Sequence, residues 1–171
     1  LELTDLSLSS EEEQRLASML QNLTFMVYPG ADLSLPDAEA VALVNRSIRE
    51  YGYGAVDYAR VESLISEGSD SYMLEVDSAV SIERWAAGKI NADLLVIIEG
   101  DESRLVLEIV EPLSGDRMVR QNTRSEQGWR QSLETSMVDL LAEAEAAYAA
   151  ELSQGVPYEL EILNLDEADE I

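Results

Sequence analysis

The sequence predicts an α/β (α+β) domain, a single mixed sheet of about five or six strands with helices packed on it. Three observations lead there. Leu94 to Ile98 is an unbroken apolar run rich in β-branched side chains, preceded by a helical pattern and stopped by Glu99-Gly100-Asp101. A strand covered on both faces reads this way, so this should be the central one. Residues 104–111 and 118–123 alternate on either side of Pro112-Leu113-Ser114-Gly115-Asp116, making an antiparallel hairpin region of residues 94–123. Apolar stripes at helical spacing flank these strands.

In chain order, Leu1, Leu3, Leu6 and Leu8 alternate imperfectly, as in an edge strand or a loose arm. Ser10 with Glu11, Glu12 and Glu13 forms a capping box, and Leu16, Met19, Leu20 and Leu23 give the helix that follows a buried stripe. Thr24 to Tyr28 reads as a strand that stops at Pro29-Gly30. Pro36 opens a helix striped by Val41, Val44, Ile48 and Tyr51 and closed by Gly52. Tyr53 to Val56 is a short strand. Asp57 then starts a helix carrying Val61, Leu64 and Ile65, which Glu67-Gly68-Ser69-Asp70-Ser71 should end in an acidic loop reaching Asp77. Val80, Ile82, Trp85, Ala86 and Ile90 form the helix that delivers the central strand. After Gly128 a long helix with Trp129, Leu133, Met137, Leu140, Leu141, Ala144 and Tyr148 inward should end near Gly155. A last strand is expected over Pro157 to Leu165, before a solvated acidic tail. The organisation follows: residues 1–22 an arm and helix, 23–152 one α/β domain, 153–171 a strand and tail.

Composition narrows the function. A chain of 171 residues, 46% hydrophobic, suits one buried core. Its 35 acidic and 11 basic residues leave a formal charge of -24, which repels nucleic acid and anionic membrane surfaces. Without cysteine or histidine it can form no disulfide, thiolate zinc site, Ser-His-Asp triad or imidazole relay. No run is long and apolar enough for a transmembrane segment, and no glycine pattern makes a phosphate loop. The chain opens on Leu1 rather than Met, so a processed fragment is expected, with any signal peptide or lipid-anchor cysteine upstream of it.

The residues that invite a functional reading are few. Glu99, Asp101 and Glu102 follow the central strand, and Asp116 lies in the hairpin turn. Paired carboxylates serve acid–base hydrolysis or hold a hard cation, so a hydrolase using Glu99, Asp101 and Asp116 is the alternative to a non-catalytic chain. Turns favour Asp and Gly for backbone reasons, and solvated turns explain the group better. Glu67, Asp70, Glu75 and Asp77 lack the ligand period of a calcium loop. Tyr51, Tyr53 and Tyr58 bracket two glycines around the second strand, where exposed rings grip glycan or peptide and buried ones pack an edge. Trp85 and Trp129 are expected in the core. Arg104, Arg117, Arg120, Arg124 and Arg130 gather scarce positive charge, but Arg117 and Arg120 have opposite strand parity, so no single basic stripe is expected. No cofactor and no metal is expected.

Three stretches resemble a known group. WAAGKINADLLVIIEG, from Trp85 to Gly100, is similar to its step of small residues and an acid before a hydrophobic strand. EIVEPLSGDRM, from Glu108 to Met118, resembles its hairpin with a Ser/Thr-Gly pair. FMVYPG at Phe25 to Gly30, with GYGAVDYARVESL at Gly52 to Leu64, looks like its entry to the second helix. The group is the amino-terminal domain of TolB with the CsgG-like, FlgT-like and LpoB-like envelope domains, and within it spirochaetal lipoproteins and periplasmic proteins. The resemblance covers residues 23–152 approximately and implies a non-catalytic module of the cell envelope, periplasmic or lipid-anchored. Its implied partners are proteins or glycan such as peptidoglycan, with homo-oligomers as a further option. Residues marking the curli channel or the TolB propeller are absent, so those activities are not implied.

Overall fold

The computed structural model describes residues 22–75 and 80–170, with residue 75 and residues 151–170 described by backbone alone. The expected amino-terminal arm and first helix, and Asp77, lie outside the described residues. The elements run β1 (Thr24–Leu33), α1 (Asp37–Tyr51), β2 (Gly54–Ala55), α2 (Tyr58–Glu75), α3 (Ile82–Ile90), β3 (Leu94–Gly100), β4 (Arg104–Val110), β5 (Arg117–Arg124) and α4 (Trp129–Glu170). The strands form one mixed sheet in the order β2-β1-β3-β4-β5, parallel across β2, β1 and β3 and antiparallel across β3, β4 and β5. The apolar run of β3 is therefore the middle of the five described strands.

Alternation along the strands divides the core into two layers. On one face Phe25, Val96, Leu107 and Ile109 are buried beneath Val44 and Ile48 of α1 and Leu133, Met137 and Leu140 of α4. On the other, Met26, Leu95 and Val110 meet Val61 of α2 and Trp85 and Ala86 of α3. Each large side chain so buried contributes ~1.5–3 kcal/mol, which is why the β3 run tolerates no polar residue until Glu99. On this second face α2 packs mainly on β1 and α3 mainly on β3, with Val110 at the end of β4 in the same layer. Farther out on this face, Val106 and Glu108 are half-buried, Arg120 and Asn122 are exposed, and no described helix covers the β4–β5 hairpin from this side.

The step from α3 into β3 is a compact device. Asn91 takes a left-handed conformation (φ 62°, ψ 39°), and the amide of Ala92 donates to the carbonyl of Ala87 at 2.9 Å. Asn is one of the few residues that adopts this conformation cheaply. Asp93 then pairs reciprocally with β1: its amide donates to the Thr24 carbonyl at 2.8 Å and its Oδ2 accepts the Thr24 amide at 2.8 Å. The Asn-Ala-Asp step thus ends a helix and sets the β1–β3 register.

Three expectations are corrected. β1 does not stop at Pro29-Gly30 but continues to Leu33. Between the matches Pro29–Ile98 and Leu33–Gly100, four steps along β1 span two along β3, so the chain bulges and carries on. Phe25 directs its carbonyl at β2, accepting from Val56 at 3.0 Å, and Pro29 shares its parity. The missing proline N–H therefore faces away from β3 and no ladder bond is lost there.

The acidic stretch after Ile65 is helix as far as Glu75, placing Glu67 and Asp70 on a helix surface rather than in a cation-binding loop. Gly68, read as a breaker, is where α2 touches α3: a Cβ on it would fall 2.5 Å from Cη2 of Trp85. One turn on, Tyr72 packs edge-on against the same indole at 5.8 Å and donates its hydroxyl to the Val80 carbonyl at 2.6 Å. Finally, α4 runs past Gly155 through Pro157 to Glu170, so no strand forms at 157–165. Pro157 forfeits one backbone bond, while the Leu- and Glu-rich residues that follow are good helix formers whose Leu160–Leu163 spacing fits a helix as well as a strand.

Candidate functional site

The carboxylates read as a cluster fall at two ends of the sheet. Glu99 points from β3 to the face left open beside β4, its side chain lying over Gly30, where an added Cβ would stand 2.6 Å from Cγ. Asp101 opens the β3–β4 turn and is occupied by it. Its Oδ1 accepts the Ser103 hydroxyl at 2.7 Å, the Ser103 amide at 2.9 Å and the Arg104 amide at 3.0 Å. The Ser103 hydroxyl first, then these two amides, hold its carboxyl below the usual range. Glu102 is exposed in the same turn. Asp116 is in the β4–β5 turn, its carbonyl accepting the Glu111 amide at 2.9 Å and its amide donating to Ser114 Oγ at 3.1 Å.

The seven residues of β4 separate the two turns, roughly 20 Å at a strand's rise per residue. Glu99 and Asp101 therefore never face Asp116 across a cleft, and the hydrolase arrangement does not form. Among the described residues no group of three or more acidic side chains is placed to hold a metal ion.

The tyrosines separate as well. Tyr53 is buried against Phe25, with ring centroids 5.4 Å apart, and donates its hydroxyl to Glu145 of α4 at 3.0 Å. Burial, then the Glu145 hydrogen bond and charge, push its pKa well above 10.0. Tyr51, exposed at the end of α1, stacks on Tyr53 at 5.5 Å. The pair sits at the β2 end of the core, with Tyr51 the partly exposed member.

A cleft of about 460 Å³ lies where the α3–β3 step meets the β4–β5 turn, lined by Ala92, Asp93, Glu111, Leu113, Met118 and Tyr148 among others. Arg84 shapes its rim by donating to the carbonyls of Pro112 at 3.0 Å and Leu113 at 2.8 Å. Sequence reasoning missed it because its walls come from three distant segments and none carries a motif.

The arginines hold the largest difference from expectation. Ile109 pairs with Val119 but Val110 pairs with Arg117, so Met118 is an extra residue on β5. That bulge reverses the parity of everything before it. Arg117 and Arg120 consequently share a face, each 3.5 Å from Oε1 of Glu108, and Arg124 joins them opposite Arg104. A single basic stripe exists after all, on the face of the hairpin that no described helix covers. Arg130 stands apart, pairing with Glu39 of α1 and stacked over Trp129 at 4.5 Å.

No protein-family model matches this chain, and no curated protein does. Solved structures similar to it include the LpoB C-terminal domain from Salmonella enterica, at TM-score 0.47 and 14% identity over 66% of this chain and 93% of that one. The lipoprotein GNA1162 from Neisseria meningitidis is similar at TM-score 0.43 and 14% identity, over 70% and 98%. The PelC dodecamer from Paraburkholderia phytofirmans is similar at 0.41 and 13%, over 73% and 89%. Likeness at this level says nothing about what the chain does.

Proposed function

We propose that this chain is a non-catalytic domain of the cell envelope that mediates protein or glycan interactions in envelope assembly or maintenance. The observation that carries the binding role is the uncovered β4–β5 face, a flat charged surface with an open strand edge and no covering helix among the described residues. Flat sheet edges serve association, whereas catalysis needs convergent groups in a pocket. Asp101 and Asp116 are engaged in their turns, and the buried Tyr53 in packing against α4. The envelope placement rests on the likeness of the Trp85–Gly100 and Glu108–Met118 stretches to the TolB, CsgG-like, FlgT-like and LpoB-like envelope group.

Fractionation of cells expressing the full-length protein, combined with protease accessibility in intact and permeabilised cells, tests the placement. Recovery with the envelope, together with cross-linked adducts to an envelope protein or to peptidoglycan, is the expected result. Recovery wholly in the cytosolic fraction would overturn it.

A further inference from the structure

The stripe of arginines lies in a stretch that is not acidic. Residues 104–130 carry five arginines against four carboxylates, in a protein whose formal charge is -24. On this face of the hairpin, Glu108 pairs with Arg117 and Arg120, while Arg104 lies near enough to Asp101 for its charge to help hold that carboxyl low. Glu108 is divided between two of them at 3.5 Å each, longer than the ~2.7–2.9 Å of a strong charge-assisted bond, so both guanidiniums keep donors to spare. Arg104 and Arg124 stand directly opposite one another, and like charges so placed destabilise a hairpin. Among the described residues no carboxylate pairs with Arg124, and the four arginines outnumber the carboxylates beside them.

The backbone beside this stripe is open too. The Ser125 amide donates to the Ser103 carbonyl at 2.9 Å, so β5 residues of the same parity, Thr123, Gln121 and Val119, bond inward to β4. Arg120, Asn122 and Arg124 direct their N–H and C=O groups outward. Among the described strands β5 pairs with β4 only, and it contains no proline.

We propose that the β5 edge receives an extended acidic segment of a partner protein as an added strand, with its carboxylates on Arg117, Arg120 and Arg124. This deepens the binding-module reading by naming the surface and the chemistry of the partner. An added strand sits ~5 Å from β5, inside the ~8 Å screening length at physiological salt, where local arginines outweigh the distant negative charge. A polyanion spread over the whole protein gains no such advantage. Pairing of two β5 edges from two copies would set arginine against arginine, a common guard against edge-to-edge association.

The test uses the full chain and a labelled nine-residue peptide alternating Glu with Thr, read by fluorescence anisotropy. Companion peptides replace Glu by Lys, or place Pro at two positions that must donate to β5. The Glu peptide is expected to bind saturably and to slow amide exchange at Arg120, Asn122 and Arg124. The variant R120E/R124E should weaken it at least about tenfold, and R120Q/R124Q by less. Far-UV circular dichroism and the urea midpoint show that both variants fold. Equal binding of the Pro peptide would reduce the contact to charge attraction and overturn strand addition. Equal binding of the Lys peptide, or no binding of the Glu peptide, would overturn the proposal while leaving the envelope role to fractionation and cross-linking.

Discussion

Replacing Gly68 by Ala separates three accounts of the segment that follows Ile65. In an acidic loop the change would be nearly neutral. In a solvent-facing helix it would stabilise by up to ~1 kcal/mol, the usual gain of Ala over Gly. In the structure the new methyl points at Trp85, 2.5 Å from Cη2 and 3.2 Å from Cζ3. The indole cannot retreat freely, being 8% exposed and fixed between Tyr72 and the Val61–Leu95 layer. Overpacking a filled site costs ~1–3 kcal/mol, which outweighs the helix gain and leaves a net loss of about 1 kcal/mol. In a domain of this size that lowers the melting temperature by ~2–4 °C. Urea unfolding followed by far-UV circular dichroism measures it, and Gly68→Ala in a Trp85→Phe background should recover part of the loss, since touching sites couple. A midpoint that rises in Gly68→Ala would refute the helix contact.

Two other changes test joints of the fold. Asp93→Ala removes the acceptor of the Thr24 amide and should cost about 1 kcal/mol, with faster hydrogen exchange at that amide as the specific readout. Tyr53→Phe removes the hydroxyl bound to Glu145 and alters the alkaline limb of stability. Burial and Glu145 raise the folded pKa of Tyr53 above its ordinary 10.0, so its contribution is complete below that pH and is lost as pH rises beyond it. The native protein should therefore lose stability between pH 9 and pH 11.5 more steeply than the phenylalanine variant, compared by urea unfolding.

The fold was legible in the sequence wherever burial on both faces or a 3.6-residue stripe left one reading. The β3 run, the α1 and α4 stripes and the β4–β5 alternation all stand where the pattern places them. Local breakers misled where tertiary context overrode them. Pro29 is harmless on a strand whose outer neighbour ends at Ala55, and Gly68 is a contact point rather than a stop. Both residues lose their meaning as punctuation once the neighbouring element is known. The Asn91-Ala92-Asp93 step behaved oppositely: its residue types announce a helix end, and the structure adds the reciprocal bonds to Thr24 that explain the acid.

The candidate site was less legible, and the reason is a single residue. Counting alternation from Arg120 back to Arg117 places the two side chains on opposite faces, so sequence parity disperses the arginines. One extra residue at Met118 brings them together. No composition marks that residue as a bulge, because Met suits either strand face and the turn before it supplies the glycine. Charge clustering in sequence was visible; its conversion into a surface depended on register, which is a property of two strands and not of one. The acidic pairs failed for the converse reason. Glu99, Asp101 and Asp116 are close in sequence, yet an antiparallel strand between them carries the chain to the other end of the sheet. In a meander, carboxylates in successive turns diverge by a strand length, while residues a hairpin apart converge, as Arg117 and Arg120 of β5 do on Glu108 of β4.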